Sequence, residues 1–281
     1  MTAPTERFGA RLSAAMSRFG PVCVGIDPHP ALLASWGLSD DGDGLAQFGR
    51  IAVEAAAGHA AAVKPQSALF ERHGSAGVAA LAEVLRAARE AGILAILDVK
   101  RGDIGSTMTA YAQAYLADGA ELAADAITLS PYLGFASLAP ALDLAEATGR
   151  GVFVLALTSN PSGPEVQQAR GPDGQSVAKA IAEAAGRCNR RHPPVGDVGL
   201  VVGATVGDGL ARAGIDLTRL GGPILAPGFG AQGAGQGEIR RVFGPEFTTV
   251  LIASSRAILA AGPDGAHLRD AIVGMRDQLV L

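Results

Sequence analysis

Residues 93–107 read ILAILDVKRGDIGST. The run opens with five apolar residues and no polar alternation, which describes a strand buried on both faces, as in an all-parallel sheet covered by helices. By the period of two, Leu94, Ile96, Asp98 and Lys100 share one face, so two apolar residues are followed by two opposite charges at the strand's end. Arg101, Gly102 and Asp103 then turn the chain, and Ile104 to Thr107 begin a helix.

The same succession recurs on both sides of this stretch. Short apolar, often β-branched runs at 21–27, 61–66, 93–100, 124–130, 151–158, 198–205, 223–228 and 248–254 give eight predicted strands. Longer segments with helical spacing separate them. The clearest lies between the second and third strands: Val78, Leu81, Leu85 and Ala88 form an apolar stripe and Gly92 ends it. The last segment repeats the pattern with Leu268, Ile272, Met275 and Leu279 after a cap at Asp264. Strand followed by helix, eight times, predicts an α/β fold of the (β/α)8 TIM-barrel type. A doubly wound sheet with extra strands is the competing arrangement. In the first twenty residues Arg7, Arg11 and Arg18 are spread through Ala, Phe, Leu and Met, which predicts an extra N-terminal amphipathic helix. The Gly/Asp-rich segment 37–44 and the Pro/Gly-rich segment 160–175 are short enough to be loops between strand and helix. Residues 1–281 are therefore expected to form a single domain.

Composition narrows the function. With 23 Lys+Arg against 27 Asp+Glu, the formal charge of -4 supplies no global basic field for a nucleic-acid backbone. No apolar run approaches the ~18 residues of a membrane span. Two cysteines, Cys23 and Cys188, make neither a disulfide framework nor a cysteine-rich zinc site, and they suit a reducing compartment, so a cytoplasmic location is expected. The five histidines show no metal-ligand spacing, and no Walker A lysine or GxSxG elbow is present.

In a barrel, function belongs where strands run into their following loops. Lys64 ends the second predicted strand and Asp27 the first, so they join Asp98 and Lys100 at one level. Burying charge there is costly unless each ion has a partner. An ion pair closing the barrel top would account for an isolated Asp-x-Lys. Four strand-end charges exceed that need, and they fit a general acid, Lys100, held protonated and aimed by Asp98 and Asp103. Near the other end of the chain, Gly228-Phe229-Gly230-Ala231-Gln232-Gly233 spells GxGxxG. Only one strand follows it, too few for the βαβαβ half that binds a dinucleotide. The loops after strands seven and eight of a barrel commonly form a phosphate site from backbone N–H groups, and Arg256 stands where a guanidinium would close it.

The run Asp98-x-Lys100-x-x-Asp103-Ile104-Gly105-x-Thr107 resembles the signature of the orotidine 5'-phosphate decarboxylase family. The likeness extends through GIDPHP (25–30), VKPQ (63–66), LDVKRGDIGST (97–107), SPYLG (130–134), TSNPSG (158–163), APGFGAQG (226–233) and SSRAIL (254–259). These are similar to the longer bacterial, type 2, branch. The resemblance implies decarboxylation of orotidine 5'-phosphate to UMP, the last step of de novo UMP synthesis, without metal or cofactor. It implies that Lys100 protonates pyrimidine C6 as carbon dioxide leaves and that Asp98 lies beside the substrate carboxylate. Lys64 and Asp27 would bind the ribose hydroxyls, and Ser159 the pyrimidine. Pro227, Gly228, Gln232 and Arg256 would hold the phosphate, with the loop after strand seven closing over it. Asp103, Ile104 and Thr107 complete the substrate contacts, Asp103 and Thr107 by reaching into a partner's site, so a homodimer is expected. The chain departs from the family pattern at Val206-Gly207, where a proline is usual, and at Phe229, where a small aliphatic residue is usual.

Two alternatives stand beside this reading. A metal-using sugar-phosphate decarboxylase or aldolase of the same superfamily would place a carboxylate ligand at the end of strand two, where this chain has Lys64, which a divalent cation would repel. A non-catalytic nucleotide-phosphate-binding barrel would keep the glycine loop and Arg256 but have no use for Lys64, Asp98, Lys100 and Asp103 together.

Overall fold

In the computed structural model, eight parallel strands pair in sequence order and close on themselves, β1 (Val22–Ile26), β2 (Ala62–Pro65), β3 (Leu94–Arg101), β4 (Ala126–Leu129), β5 (Gly151–Leu157), β6 (Val198–Val202), β7 (Ile224–Pro227) and β8 (Val250–Ser254), with β8 returning to β1. The structure describes residues 6–229 and 236–280. Closure excludes the doubly wound alternative and leaves no open sheet edge. Every residue of β1, β2, β4 and β8 is buried, which is why those strands lack polar alternation.

Two apolar layers hold the barrel. The outer one packs the strands against the surrounding helices, including Gly74–Glu90 and Gly265–Val280. The predicted cap of the latter is present: Asp264 Oδ1 accepts the N–H groups of Ala266 and His267 at 2.8 and 3.1 Å. The inner layer fills the barrel with Cys23, Ala62, Ile96, Ala126, Phe153, Val201, Leu225 and Leu251. Phe8 and Leu12 belong to this layer too, and both come from the N-terminal helix Phe8–Phe19. That helix plugs the N-terminal end of the barrel. Phe8 meets Phe153 edge to face with centroids 5.9 Å apart, a favoured aromatic geometry.

The polar face of the plug is tied to the strand starts. Arg7 pairs with Asp197, whose other oxygen accepts the Gly9 N–H at 2.8 Å. Arg11 pairs with Asp125 at 2.5 Å, and Asp125 also accepts the Ala95 N–H at 2.9 Å. These arginines therefore serve closure of the bottom. Among the described residues no helix is long and apolar enough to cross a membrane.

Candidate active site

The C-terminal ends of β2 and β3 bring three of the predicted charges into one chain of contacts. Lys64 Nζ donates to Asp98 Oδ2 at 3.1 Å and lies 3.4 Å from Gln66 Oε1. Lys100 Nζ donates to Asp98 Oδ1 at 2.6 Å. Lys64 and Asp98 are buried, while the Lys100 side chain is 45% exposed and faces the open end of the barrel. Burial by itself raises the Asp98 carboxyl, but Lys64 and Lys100 outweigh it, and the pKa falls from 3.8 to about 2. Burial likewise disfavours the Lys64 ammonium, and the Asp98 and Asp27 carboxylates outweigh it, so its pKa rises above 10.5. Both ions are thereby locked in their charged forms at neutral pH.

Local backbone geometry puts Lys100 there. The β3–β4 register runs Ile96 to Ala126 and Leu97 to Ile127, then slips so that Arg101 stands opposite Leu129. Asp98, Val99 and Lys100 thus face a single β4 residue, Thr128, across a bulge. Lys100 has a φ of 45°, the one non-glycine residue with positive φ among those described. For a lysine this conformation needs support from its surroundings. Beyond it, Arg101 is anchored to Glu71 at 2.6 Å, and its guanidinium lies 5.6 Å from the centre of the Tyr111 ring. The turn then passes so close to β4 that a Cβ at Gly102 would sit 2.1 Å from the Ser130 carbonyl oxygen. Only glycine fits.

Asp103 does not take the place expected of it within the chain. Its Oδ1 accepts the N–H of Ile104 at 2.8 Å, and Lys100 pairs with Asp98 alone. The reason is geometric: the turn at Gly102 carries Asp103 out of β3 to the rim, next to the helix Gly105–Leu116. Ile104 and Thr107 are also exposed on that rim. Tyr132 and Leu133, in the adjoining loop after β4, are 78% and 53% exposed, and Ile104 is 62% exposed. Exposed apolar side chains therefore stand in both of the loops that follow β3 and β4.

On the opposite side of the mouth a cleft of about 150 Å³ is lined by Asp27, Lys64, Pro227, Gly228, Ser255 and Arg256, among others. Gly228 has a φ of 108°, a turn open to glycine, which directs the chain away from β7. Asp27 Oδ1, Ser254 Oγ and Ser255 Oγ are buried with no hydrogen-bond partner among the described residues. Groups of this kind cost free energy unless something polar satisfies them, and three of them in one cleft mark a place for a polar ligand. Arg256 is exposed at the first turn after β8. Ser159 is exposed just past β5, near Gly203 at the end of β6. Gly230, Gln232 and Gly233 lie outside the described residues. Phe229 is buried in the outer layer, and Val206 packs partly buried against the same layer. Among the described residues no three His, Cys, Asp or Glu side chains converge as a metal site.

Thr128 carried no signal in the sequence analysis. A single threonine in AITL reads as ordinary β-branched filling, and only the slipped register shows that it stands opposite the bulge.

The family described as "Orotidine 5'-phosphate decarboxylase / HUMPS family" matches residues 20–271. A protein of Salinispora arenicola named orotidine 5'-phosphate decarboxylase is 56% identical over 266 residues, covering 95% of this chain and 94% of the relative. Its namesake from Salinispora tropica is 54% identical with the same coverage. A Streptomyces avermitilis protein provisionally given that name has a crystal structure with a TM-score of 0.94 and 52% identity, covering 99% of this chain and 96% of that one.

Proposed function

The chain belongs to the orotidine 5'-phosphate decarboxylase / HUMPS family, and we propose that its barrel mouth converts orotidine 5'-phosphate to UMP with Lys100 as the acid that protonates C6. The observation that carries the reading is the Lys64–Asp98–Lys100 chain, with Asp27 contributing to the same field. Loss of carbon dioxide from a pyrimidine C6 leaves an electron pair in the plane of the ring, where the π system cannot spread its charge. A fixed ammonium already in place meets that charge without reorganisation. A unit charge about 4 Å from Lys100 is worth on the order of 4 kcal/mol at an effective dielectric of 20. Enzymes lower barriers by about 8–23 kcal/mol, so remote contacts must supply much of the rest.

Those contacts are assigned to the other side of the cleft. Asp27 and Lys64 hold the ribose hydroxyls, and Ser159 meets the pyrimidine. Pro227, Gly228, Gln232 and Arg256 enclose the phosphate, with the loop after β7 closing over it. The unpartnered Asp27, Ser254 and Ser255 oxygens support a polar occupant here. The protein acts as a homodimer in the cytoplasm, with Asp103 and Thr107 entering the partner's site and Ile104 contacting substrate. The exposed Ile104, Tyr132 and Leu133 in the loops after β3 and β4 support that interface.

The family name joins two activities, and Lys64 separates them. An ammonium hydrogen-bonded to Asp98 repels the divalent cation that a metal-using relative would hold at the end of β2. The test is to follow the ultraviolet absorbance of orotidine 5'-phosphate with purified protein in excess chelator. Steady loss of absorbance is expected. No change, or a change that requires added metal, would overturn the reading.

A further inference from the structure

We propose that Thr128 is a positioning residue for the Lys100 acid, its hydroxyl fastening the backbone of Lys100 to the carboxylate of Asp98. The inference rests on the decarboxylase reading and adds to it a residue from a different strand.

The bulge in β3 creates the need. In an ordinary parallel ladder alternate β3 N–H groups point to β4 and meet its carbonyls, while the others point to β2. Where Asp98, Val99 and Lys100 stand opposite Thr128 alone, that alternation is broken and the Lys100 N–H falls out of step with the β4 carbonyls. The Lys100 N–H donates instead to Thr128 Oγ1 at 2.9 Å. The same hydroxyl donates to Asp98 Oδ1 at 2.8 Å. Asp98 Oδ1 is also the atom that receives Lys100 Nζ. A three-membered loop of contacts results: Lys100 backbone to Thr128, Thr128 to Asp98, and Asp98 back to the Lys100 ammonium.

This loop explains how a lysine keeps a φ of 45°. The backbone is held by a side chain whose own direction is fixed, because Thr128 is 1% exposed and β-branched, and its proton is committed to Asp98. Rotation of Lys100 to an ordinary conformation would strand its N–H and release the acid from Asp98. Serine retains the hydroxyl. Valine keeps the shape of threonine without it, and alanine removes it with the methyl group. A role in filling the strand is met by valine, whereas a role in aiming the acid is not.

The test compares two matched pairs, wild type with Thr128→Val and Thr128→Ser with Thr128→Ala, each differing chiefly by one hydroxyl. For each protein kcat and KM for orotidine 5'-phosphate, Kd for UMP and the melting temperature are measured. Loss of the hydroxyl is expected to lower kcat roughly 10- to 100-fold in both pairs, with KM and the UMP Kd within about threefold, and Thr128→Ser should recover most of the wild-type kcat. A kcat unchanged within twofold on losing the hydroxyl would overturn the positioning role. A Thr128→Ser enzyme as slow as Thr128→Ala would overturn it equally, since the hydroxyl would then not be the active part. If Thr128→Val fails to fold, the serine and alanine pair decides alone. A wild-type enzyme that does not decarboxylate at all would instead bring down the reading on which the proposal rests.

Discussion

The two ends of the barrel both contain buried charge, and they use it in opposite ways. At the bottom, Arg7 and Arg11, from the cap and first turn of one helix, pair one-to-one with Asp197 and Asp125, which also bind backbone N–H groups. Each ion there has a dedicated counter-ion, and the apolar Phe8 and Leu12 beside them carry the burial. At the top, one carboxylate, Asp98, serves two ammonium groups, one lysine has positive φ, and three polar oxygens have no partner. At the bottom each ion is paired within the protein, and the Arg7 Nε is the one buried polar atom there with no partner among the described residues. The top is organised but incomplete, which is the expected cost of a site that must complete itself on a ligand.

The largest effect that separates the ends should come from Lys100→Ala. Removing the acid is expected to lower kcat by at least about 10³-fold, because both proton donation and the electrostatic stabilisation of C6 are lost. UMP should still bind, and the melting temperature should fall only slightly, since the Lys100 side chain is 45% exposed and Asp98 keeps its pair with Lys64. Turnover near wild type would remove Lys100 from the mechanism. Phe8→Ala is the opposite case. Losing a fully buried ring is expected to destabilise the fold by about 3–5 kcal/mol, or roughly 10 °C in thermal melts for a chain of this size. At temperatures where the variant remains folded, kcat should match wild type. A large fall in kcat would show that the plug and the mouth are coupled.

This contrast also explains what could be read from the residues alone. The (β/α)8 order was legible because uninterrupted apolar runs such as 93–97 describe strands buried on both faces, and the closed sheet follows that order. The N-terminal helix was legible from its spaced arginines, although their Asp197 and Asp125 partners were not, since these pairs span 190 and 114 positions. Asp98, Lys100 and Lys64 announced themselves by charge in apolar surroundings. Asp103 looked like part of that cluster because it is a carboxylate three residues from Lys100, and closeness in sequence does not show that the turn at Gly102 carries it to the rim. Thr128 was invisible because its role depends on a register slip, and periodicity within one strand does not reveal register with its neighbour.

Arg256→Ala addresses the phosphate side of the mouth. Its guanidinium is exposed at the rim of the cleft, so the fold should tolerate the change. Loss of a charge-assisted contact to phosphate is expected to raise KM about 10- to 100-fold, with a smaller fall in kcat. A substrate analogue lacking the phosphate should respond little to the substitution. An unchanged KM would move the phosphate away from Arg256 and reduce the cleft to a ribose pocket.

The smallest effect is a pH dependence, and it tests whether the top contributes to stability as well as to chemistry. The Asp98 carboxyl, held at about 2 in the fold against 3.8 in its absence, contributes roughly 2 kcal/mol that is present above pH 4 and lost as pH falls towards 2. Lys64 is shifted upward, so its contribution is present below pH 10.5 and is lost only as pH rises through its elevated folded value. Between these limits the pair should be insensitive to pH. Urea unfolding of wild type and Asp98→Asn across pH 2 to 7 isolates the acidic side. The stability difference between them should narrow by roughly 2 kcal/mol between pH 4 and 2. Asparagine cannot titrate, so other carboxylates cancel in that difference. A gap that stays constant would mean that Lys64 and Lys100 do not lower the Asp98 pKa in the folded protein. The mouth would then be a collection of separate charges, and the contrast with the one-to-one ion pairs of the bottom would fail at its central residue.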